Sequence, residues 1–298
     1  MAAGSKTAIE VGGRRLTLSN LDKVLYPAAG FTKAGVLDYY ARVAPVMLPH
    51  LAGRAVTMVR FPNGVAGDSF FEKRRPPHAP AWVRSATVDG LIACVVDDAP
   101  TLVWMANLAA LELHTLQARV DDPGHPTSMV FDLDPGAPAD ILTCCAVALE
   151  LRHALDGLGL VSVVKTSGSK GLHLAVPVRG ATAEDTKAFA RGLGQLLATQ
   201  HPDQVTVVMA KPERRSRVFV DWSQNARHKT TVCAYSLRAQ PQPLVSTPLS
   251  WDEVSDALDS RDAAALTFEA PQVLERVQRF GDRYAPNVEV DQELPNLG

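Results

Sequence analysis

Two acids two residues apart, Asp132 and Asp134, close an apolar run in the segment TSMVFDLDPG. In an extended chain residues i and i+2 share a face, roughly 6.5–7 Å apart, so a strand here aims both carboxylates together. A second apolar run, Val218-Phe219-Val220, delivers Asp221 in the same way. Three convergent carboxylates on rigid strands suit hard divalent cations, which take oxygen ligands. Two such ions about 3.5–4 Å apart can drive in-line attack at phosphorus. A plainer role is also open, because Asp134-Pro135-Gly136 is a turn signal and Asp caps turns.

A third segment, Lys165-Thr166-Ser167-Gly168-Ser169-Lys170-Gly171-Leu172-His173, lies between the apolar runs Leu160–Val164 and Leu172–Val176. Small residues and two glycines let backbone N–H groups crowd around an anion, and hydroxyls and an ammonium add charge-assisted donors. The segment suits a triphosphate cradle, although it lacks the G-x-x-x-x-G-K-[ST] spacing of a Walker loop. Hairpin loops of no special function share this composition.

The elements that must position these groups follow from periodicity and cap residues. Residues 14–18 read as a strand, and 18–26 as one or two helical turns stopped by Pro27. Thr32 caps a helix to about Leu48, and Ala55–Phe61 is a strand ending at a Pro-Asn-Gly turn. Residues 70–75 suit a sheet edge, and 88–96 a hairpin turning on Asp89-Gly90. A helix over 101–114 delivers Glu112 and His114 near its end. The acidic strand, 128–134, is followed by a helix over 138–158, two strands around the Ser/Gly loop and a helix over 182–200. Strands follow over 205–209, 217–222 and 230–235, then short helices near 251–258 and 271–280. The β-α-β-β-α-β order from 128 to 222 matches a split-βαβ, RNA-recognition-like module. The fold class is therefore α/β (α+β) in two modules. An N-terminal α/β module, 1–125, packs on the split-βαβ module, 126–245, and an acidic helical tail, 246–298, packs on the core. The active site is expected in the cleft between the modules.

The 298 residues allow a large core. No apolar stretch reaches membrane-spanning length, and MAAGSKTAIEVGG lacks the apolar centre of a signal peptide, so a cytoplasmic, nucleoid-associated protein is expected. Cys94, Cys144, Cys145 and Cys233 show no paired metal spacing and read as buried thiols. A net charge of −2 speaks against a generic nucleic-acid binder. Its distribution does not: residues 1–75 hold 11 Lys/Arg against 5 Asp/Glu, net +6, and residues 246–298 hold 4 against 11, net −7. Such asymmetry suggests one basic face and one acidic end.

Taken in order, Phe70-Phe71-Glu72-Lys73, FDLDPG, TSGSKGLH, VFVDWSQN and YSLR resemble the polymerase domain of bacterial ligase D, within the archaeo-eukaryotic primase superfamily. The likeness runs from about Leu16 to about Leu237. It implies a primase-polymerase with two Mn2+ or Mg2+ ions held by Asp132, Asp134 and Asp221. Nucleoside triphosphate contacts are implied for Phe70, Phe71, His114, Ser167, Ser169, Lys170, His173, Gln224 and Arg238. The two phenylalanines would stack the base, His114 and Gln224 would meet the sugar, and the remainder would meet the phosphates. Lys23 and Lys33 match a pair that binds the 5′-phosphate beyond a gap or break, and Arg60, Lys73, Lys211, Arg214 and Arg215 are further DNA contacts.

The resemblance also implies ribonucleotide preference, gapped or broken duplex DNA as partner, an ATP-dependent ligase and Ku as associated proteins, and a monomer. Two departures stand out. Val59 occupies a position where a Lys is expected, and the 88–96 hairpin is short, which favours gap filling over bridging of DNA ends. No K-x-D-G ligase pattern occurs, so the chain reads as a stand-alone polymerase or one excised from a fusion. A non-catalytic 5′-phosphate-binding scaffold and a primase devoted to de novo priming are the competing expectations.

Overall fold

Alternation along the Ser128–Pro135 strand decides which way the acids face. In this computed structural model, which describes residues 6–295, Met129, Phe131 and Leu133 point into a core shared with the helices Ile141–Gly157 and Ala183–Gln200. Val130 packs into the opposite core, and Asp132 and Asp134 share its side of the sheet. The strand is central in a six-stranded sheet ordered Val205–Thr206, Val218–Asp221, Ser128–Pro135, Leu172–Pro177, Val163–Thr166 and Pro248–Leu249. Its four central members have the split-βαβ arrangement. Residues 1–5 of the segment read for a signal peptide, and 296–298 of the acidic tail, lie outside the described residues.

The second sheet runs Thr230–Val232, Ala110–Leu116, Ala55–Arg60, Leu91–Val95 and Ser85–Val88, with Phe70–Glu72 also paired to Ala55–Arg60. The helix Lys33–Leu51 starts where Thr32 accepts a bond from the Gly35 N–H, and buries Val36, Tyr40, Val43 and Met47. The Ser85–Val88/Leu91–Val95 hairpin turns on Asp89 and Gly90, both at positive φ (47° and 76°), as a tight primed turn requires.

Four expectations are corrected. The helix expected over 101–114 is Ala99–Asn107, and Glu112 and His114 stand on the strand Ala110–Leu116. Strands on both sides of that segment satisfy its backbone groups and override its helical spacing. The helical turns expected over 18–26 are a turn at Asn20 and a short strand, Val24–Tyr26. The strands expected over 205–209 and 230–235 shorten to Val205–Thr206 and Thr230–Val232. Thr230–Val232, expected within the 126–245 module, pairs with Ala110–Leu116 of the other sheet. The hairpin Lys6–Val11/Arg14–Ser19 and the short pair near 118–126 carried no sequence expectation.

The tail ties both halves. Trp251–Ser260 packs on Ile141–Gly157, and Ala270–Phe280 packs on Lys33–Leu51. All four cysteines are buried free thiols. Among the described residues no helix is long and apolar enough to cross a membrane.

Candidate active site

A cleft of about 220 Å³ opens where the acid-bearing face of one sheet meets the edge of the other. The first sheet lines it with Asp132, Asp134, Ser167, Ser169, Lys170 and His173, and the second with His114 and Thr230–Val232; Gln224 and Arg238 complete it. Residues far apart in sequence thus meet around one small volume.

Register builds the acidic side. Asp132 lies opposite Asp221 on one neighbouring strand and opposite His173 on the other. Directly opposed residues share a face, so all three stand on the same side of the sheet, where Asp132 and His173 line the cleft and Asp221 stays outside its lining. Asp132 Oδ1 is 3.2 Å from His173 Nε2. Gln224 Nε2 donates to Asp221 Oδ2 at 3.0 Å and to Asp132 Oδ2 at 3.4 Å, linking the two acids. Burial pushes the Asp132 carboxyl up, but His173, Lys165 and Arg238 outweigh it and hold it below the usual range. Asp134 goes the other way, to about 6, through burial and then the charges of Asp132 and Asp221, with Arg214 and Lys170 opposing.

This arrangement corrects one detail. The expected three-carboxylate cluster is not preassembled: among the described residues no group of three or more His, Cys, Asp or Glu stands ready to hold an ion. Asp221 is turned into its own chain, its Oδ1 accepting from the Ser223 N–H at 3.0 Å and the Ser223 hydroxyl at 2.6 Å. The donors nonetheless fit a hard cation, since all are carboxylate oxygens on one face of the sheet.

The Ser/Gly loop is shaped by Ser167. Its hydroxyl accepts from the Ser169 N–H at 3.2 Å and the Gly171 N–H at 3.1 Å, and its own N–H donates to Gly171 O at 2.8 Å. Gly168 sits at φ +66°, and a Cβ there would come within 2.6 Å of Arg238. A Cβ on Gly171 would collide with Leu133 O. Ser169 and Lys170 at the tip stay exposed. Both ring nitrogens of His173 are engaged, Nε2 by Asp132 and Nδ1 by Lys165 at 3.1 Å, so a phosphate contact would have to displace one of them.

The other wall contains a residue that sequence reasoning passed over as a functional group. Glu112 Oε1 accepts from Arg238 Nε at 3.1 Å and from the Ala239 N–H at 2.9 Å, and Oε2 lies 2.9 Å from His114 Nε2. Burial pushes this carboxyl up, but the His114 bond, the Arg238 charge and the Ala239 N–H bring it to about 2. Arg238 also donates from Nη1 to Ser167 O at 2.8 Å. One carboxylate therefore holds both cleft-facing bases and joins them to the loop. Period-2 spacing with His114 was the available signal, and the helical reading of that segment hid it.

Phe71 is 64% exposed, its ring edge-on to His114 with centroids 6.3 Å apart. Phe70 carries the Arg60 guanidinium over its face at 5.1 Å, and Arg60 pairs with Glu72 at 2.8 Å and donates to Leu108 O at 2.9 Å. Val59 is buried opposite Phe71 and Glu112. Lys73, Lys211 and Arg215 are exposed, and Arg214 lies over Phe219 at 3.7 Å while donating to Met209 O at 2.6 Å.

The structure does not bring Lys23 and Lys33 into this cleft. Lys23 Nζ donates to Asn63 Oδ1 at 3.0 Å. Lys33 is only 5% exposed, its Nζ donating to Ser19 O at 2.7 Å. Burial, then the charges of Lys23 and Arg60, lower Lys33 to about 8. Among the described residues neither lysine has a carboxylate partner.

Comparison with known proteins places the chain in a family and matches its overall fold. Residues 32–284 match the model of the LigD primase-polymerase domain. The chain is 42% identical over 279 residues to the multifunctional non-homologous end joining protein LigD of Mycolicibacterium smegmatis, covering 91% of this chain and 36% of the relative. It is 43% identical over 287 residues to the LigD DNA repair protein of Mycobacterium tuberculosis, with 90% and 36% covered. The bifunctional LigD of Bacillus subtilis is 32% identical over 273 residues, with 90% and 43% covered. The chain thus spans well under half the length of these relatives. Among solved structures, the polymerase domain of Mycobacterium tuberculosis ligase D in complex with DNA superposes with a TM-score of 0.86 at 42% identity, covering 92% of this chain and 98% of that one.

Proposed function

This chain belongs to the LigD primase-polymerase domain family, and from that premise we propose that it is a template-directed, metal-dependent nucleotidyltransferase of DNA break and gap repair. It extends a primer 3′-hydroxyl, prefers ribonucleotides, and fills short gaps that end in a downstream 5′-phosphate. The carrying observation is the convergence on one cleft of an acidic strand pair, a Ser/Gly loop with an exposed lysine, and a Glu112-anchored His114 and Arg238. Residues 1–298 act as one catalytic unit in this reading.

Asp132, Asp134 and Asp221 would hold two divalent ions, manganese or magnesium, which when bound lower the barrier to in-line attack at the α-phosphate. The protein's own part is positioning and charge. Lys170, Arg238 and the loop N–H groups take the β- and γ-phosphates, where charge-assisted bonds are strongest. Phe71 offers its exposed face to the base, a contact worth roughly 1–3 kcal/mol, and Phe70, braced by Arg60, supports it. His114, fixed by Glu112, and Gln224, spanning two acids, reach the sugar.

Lys23 and Lys33 form the 5′-phosphate site. A buried lysine with a lowered pKa and no acid beside it suits a terminal phosphate dianion. Lys73, Lys211 and Arg215 add contacts to the duplex backbone. A DNA ligase and Ku are the associated proteins, and the enzyme acts as a monomer in the cytoplasm.

Primer extension on a gapped duplex, with and without the 5′-phosphate and with all four nucleotides in both sugar forms, tests this reading. Extension that is faster with ribonucleotides and with the phosphate is expected. No extension under any metal would reduce the protein to a DNA-binding scaffold.

A further inference from the structure

One register row of the acid-bearing sheet carries four polar residues on four strands: Asp221, Asp132, His173 and Lys165. The first two belong to the proposed metal site. Lys165 lies two strands further in, is 3% exposed, and has no place in the proposed chemistry. Its Nζ contacts His173 Nδ1 at 3.1 Å and donates to Ser246 Oγ at 2.7 Å, and His173 Nε2 faces Asp132 Oδ1 at 3.2 Å. Resting on the function proposed above, we propose that Lys165 is a positioning residue for Asp132, acting through the tautomer of His173.

Donor counting carries the argument. Ser246 Oγ spends its proton on Thr166 O at 2.8 Å, so toward Lys165 it can only accept. Lys165 donates there and has further N–H groups for His173 Nδ1; an ammonium can do nothing else. A neutral amine could also accept from Nδ1–H, but only with the Nε2 lone pair left facing Asp132 Oδ1, which repels it. His173 Nδ1 therefore accepts and the ring proton sits on Nε2, pointing at Asp132 Oδ1. The opposite tautomer would set the Nε2 lone pair against a carboxylate. With Oδ1 held by His173, Oδ2 is the oxygen left toward Gln224 and the cleft. Partners behind a metal-binding carboxylate fix its orientation in this way, and losing them typically costs roughly 10–100-fold in metal affinity or activity.

The row is anchored at its far end. The Ser246 N–H donates to Ser236 O at 2.9 Å, and its carbonyl accepts from the Tyr235 N–H at 2.8 Å. Lys165 has no carboxylate within direct bonding distance among the described residues, so its placement serves the imidazole rather than an ion pair.

The test is nitrogen NMR of ring-labelled histidine in metal-free protein, together with manganese binding followed by electron paramagnetic resonance and steady-state extension. Wild type is expected to show His173 protonated at Nε2. Lys165→Met, which keeps length and loses the donor, is expected to scramble that tautomer, weaken manganese binding about tenfold or more, and lower kcat with the nucleotide KM unchanged. Lys165→Gln, which keeps a donor, should recover part of the loss. An Nδ1–H tautomer in wild type overturns the proposal, and this reading survives if Lys165→Met does not fold. A folded Lys165→Met with wild-type tautomer and manganese affinity also overturns it. The tautomer is read without turnover, so failure here is distinct from failure of the polymerase assignment.

Discussion

Asp132, Asp134 and Asp221 crowd negative charge onto one face of the Ser128–Pro135 sheet. Lys23 and Lys33 crowd positive charge at the start of the Lys33–Leu51 helix. The acids come with protein partners: His173 and Gln224 on Asp132, Ser223 and Gln224 on Asp221, and the fields of Arg214 and Lys170 on Asp134. The lysines have only neutral ones, Asn63 Oδ1 and Ser19 O. The first arrangement orients its charges and leaves Asp134 at about 6, and the second leaves a buried cation at about 8 with nothing opposite. A site that must organise ions at defined oxygens needs built-in orientation. A site that captures an anion can leave the countercharge to its ligand.

That contrast is sharpest at Asp132. Asp132→Ala removes a proposed metal ligand and strands His173, so extension should fall by on the order of 10³-fold, the effect of losing several kcal/mol of transition-state stabilisation. Binding to a phosphorylated gap should stay within about twofold, because Lys23 and Lys33 are untouched. Rapid-quench extension and a fluorescence titration on one protein sample measure both, and a joint loss would merge the two regions into one.

Glu112→Ala comes next. It leaves Arg238 as an unpaired charge in a largely buried setting, which costs about 3 kcal/mol of stability. Thermal melting reads that loss, and the nucleotide KM should rise more than kcat falls. Equal melting temperatures would mean that Arg238 finds another acceptor.

On the basic side, combining Lys23→Ala with Lys33→Met should weaken binding to phosphorylated gaps by about 1.5–3 kcal/mol, through loss of charge-assisted bonds. Gaps without the phosphate should be bound as before, and the salt dependence should flatten. Equal binding of both duplexes by the wild type would remove the phosphate site.

The smallest effect is that of pH. Lys33 drops from 10.5 unfolded to about 8 folded, so between those values the unfolded chain binds more protons and the free protein gains stability as pH rises. A bound phosphate favours the ammonium and reverses this. Preference for phosphorylated gaps should be full below about pH 8 and shrink above it. A preference unchanged from pH 7 to 9.5 would assign the selectivity elsewhere.

The sequence by itself determined the acidic strand, the Ser/Gly loop, the caps of the helices at Lys33 and Ala183, and the Asp89-Gly90 turn. Each is local: strand alternation, a hydroxyl reaching an N–H three residues on, and positive φ are written within a few residues. Tertiary structure alone decided what those pieces meet. Glu112 and His114 read as helical until strands on both sides claimed their backbone. Thr230–Val232 left the acid-bearing sheet for the other one. The bonds that shape the cleft, Arg238 to Glu112 across 126 residues, Gln224 to Asp132 across 92 and Lys165 to Ser246 across 81, join side chains with no common periodicity. Their partners are fixed by sheet register and by the cost of leaving buried polar groups unmet, which only the assembled sheets impose.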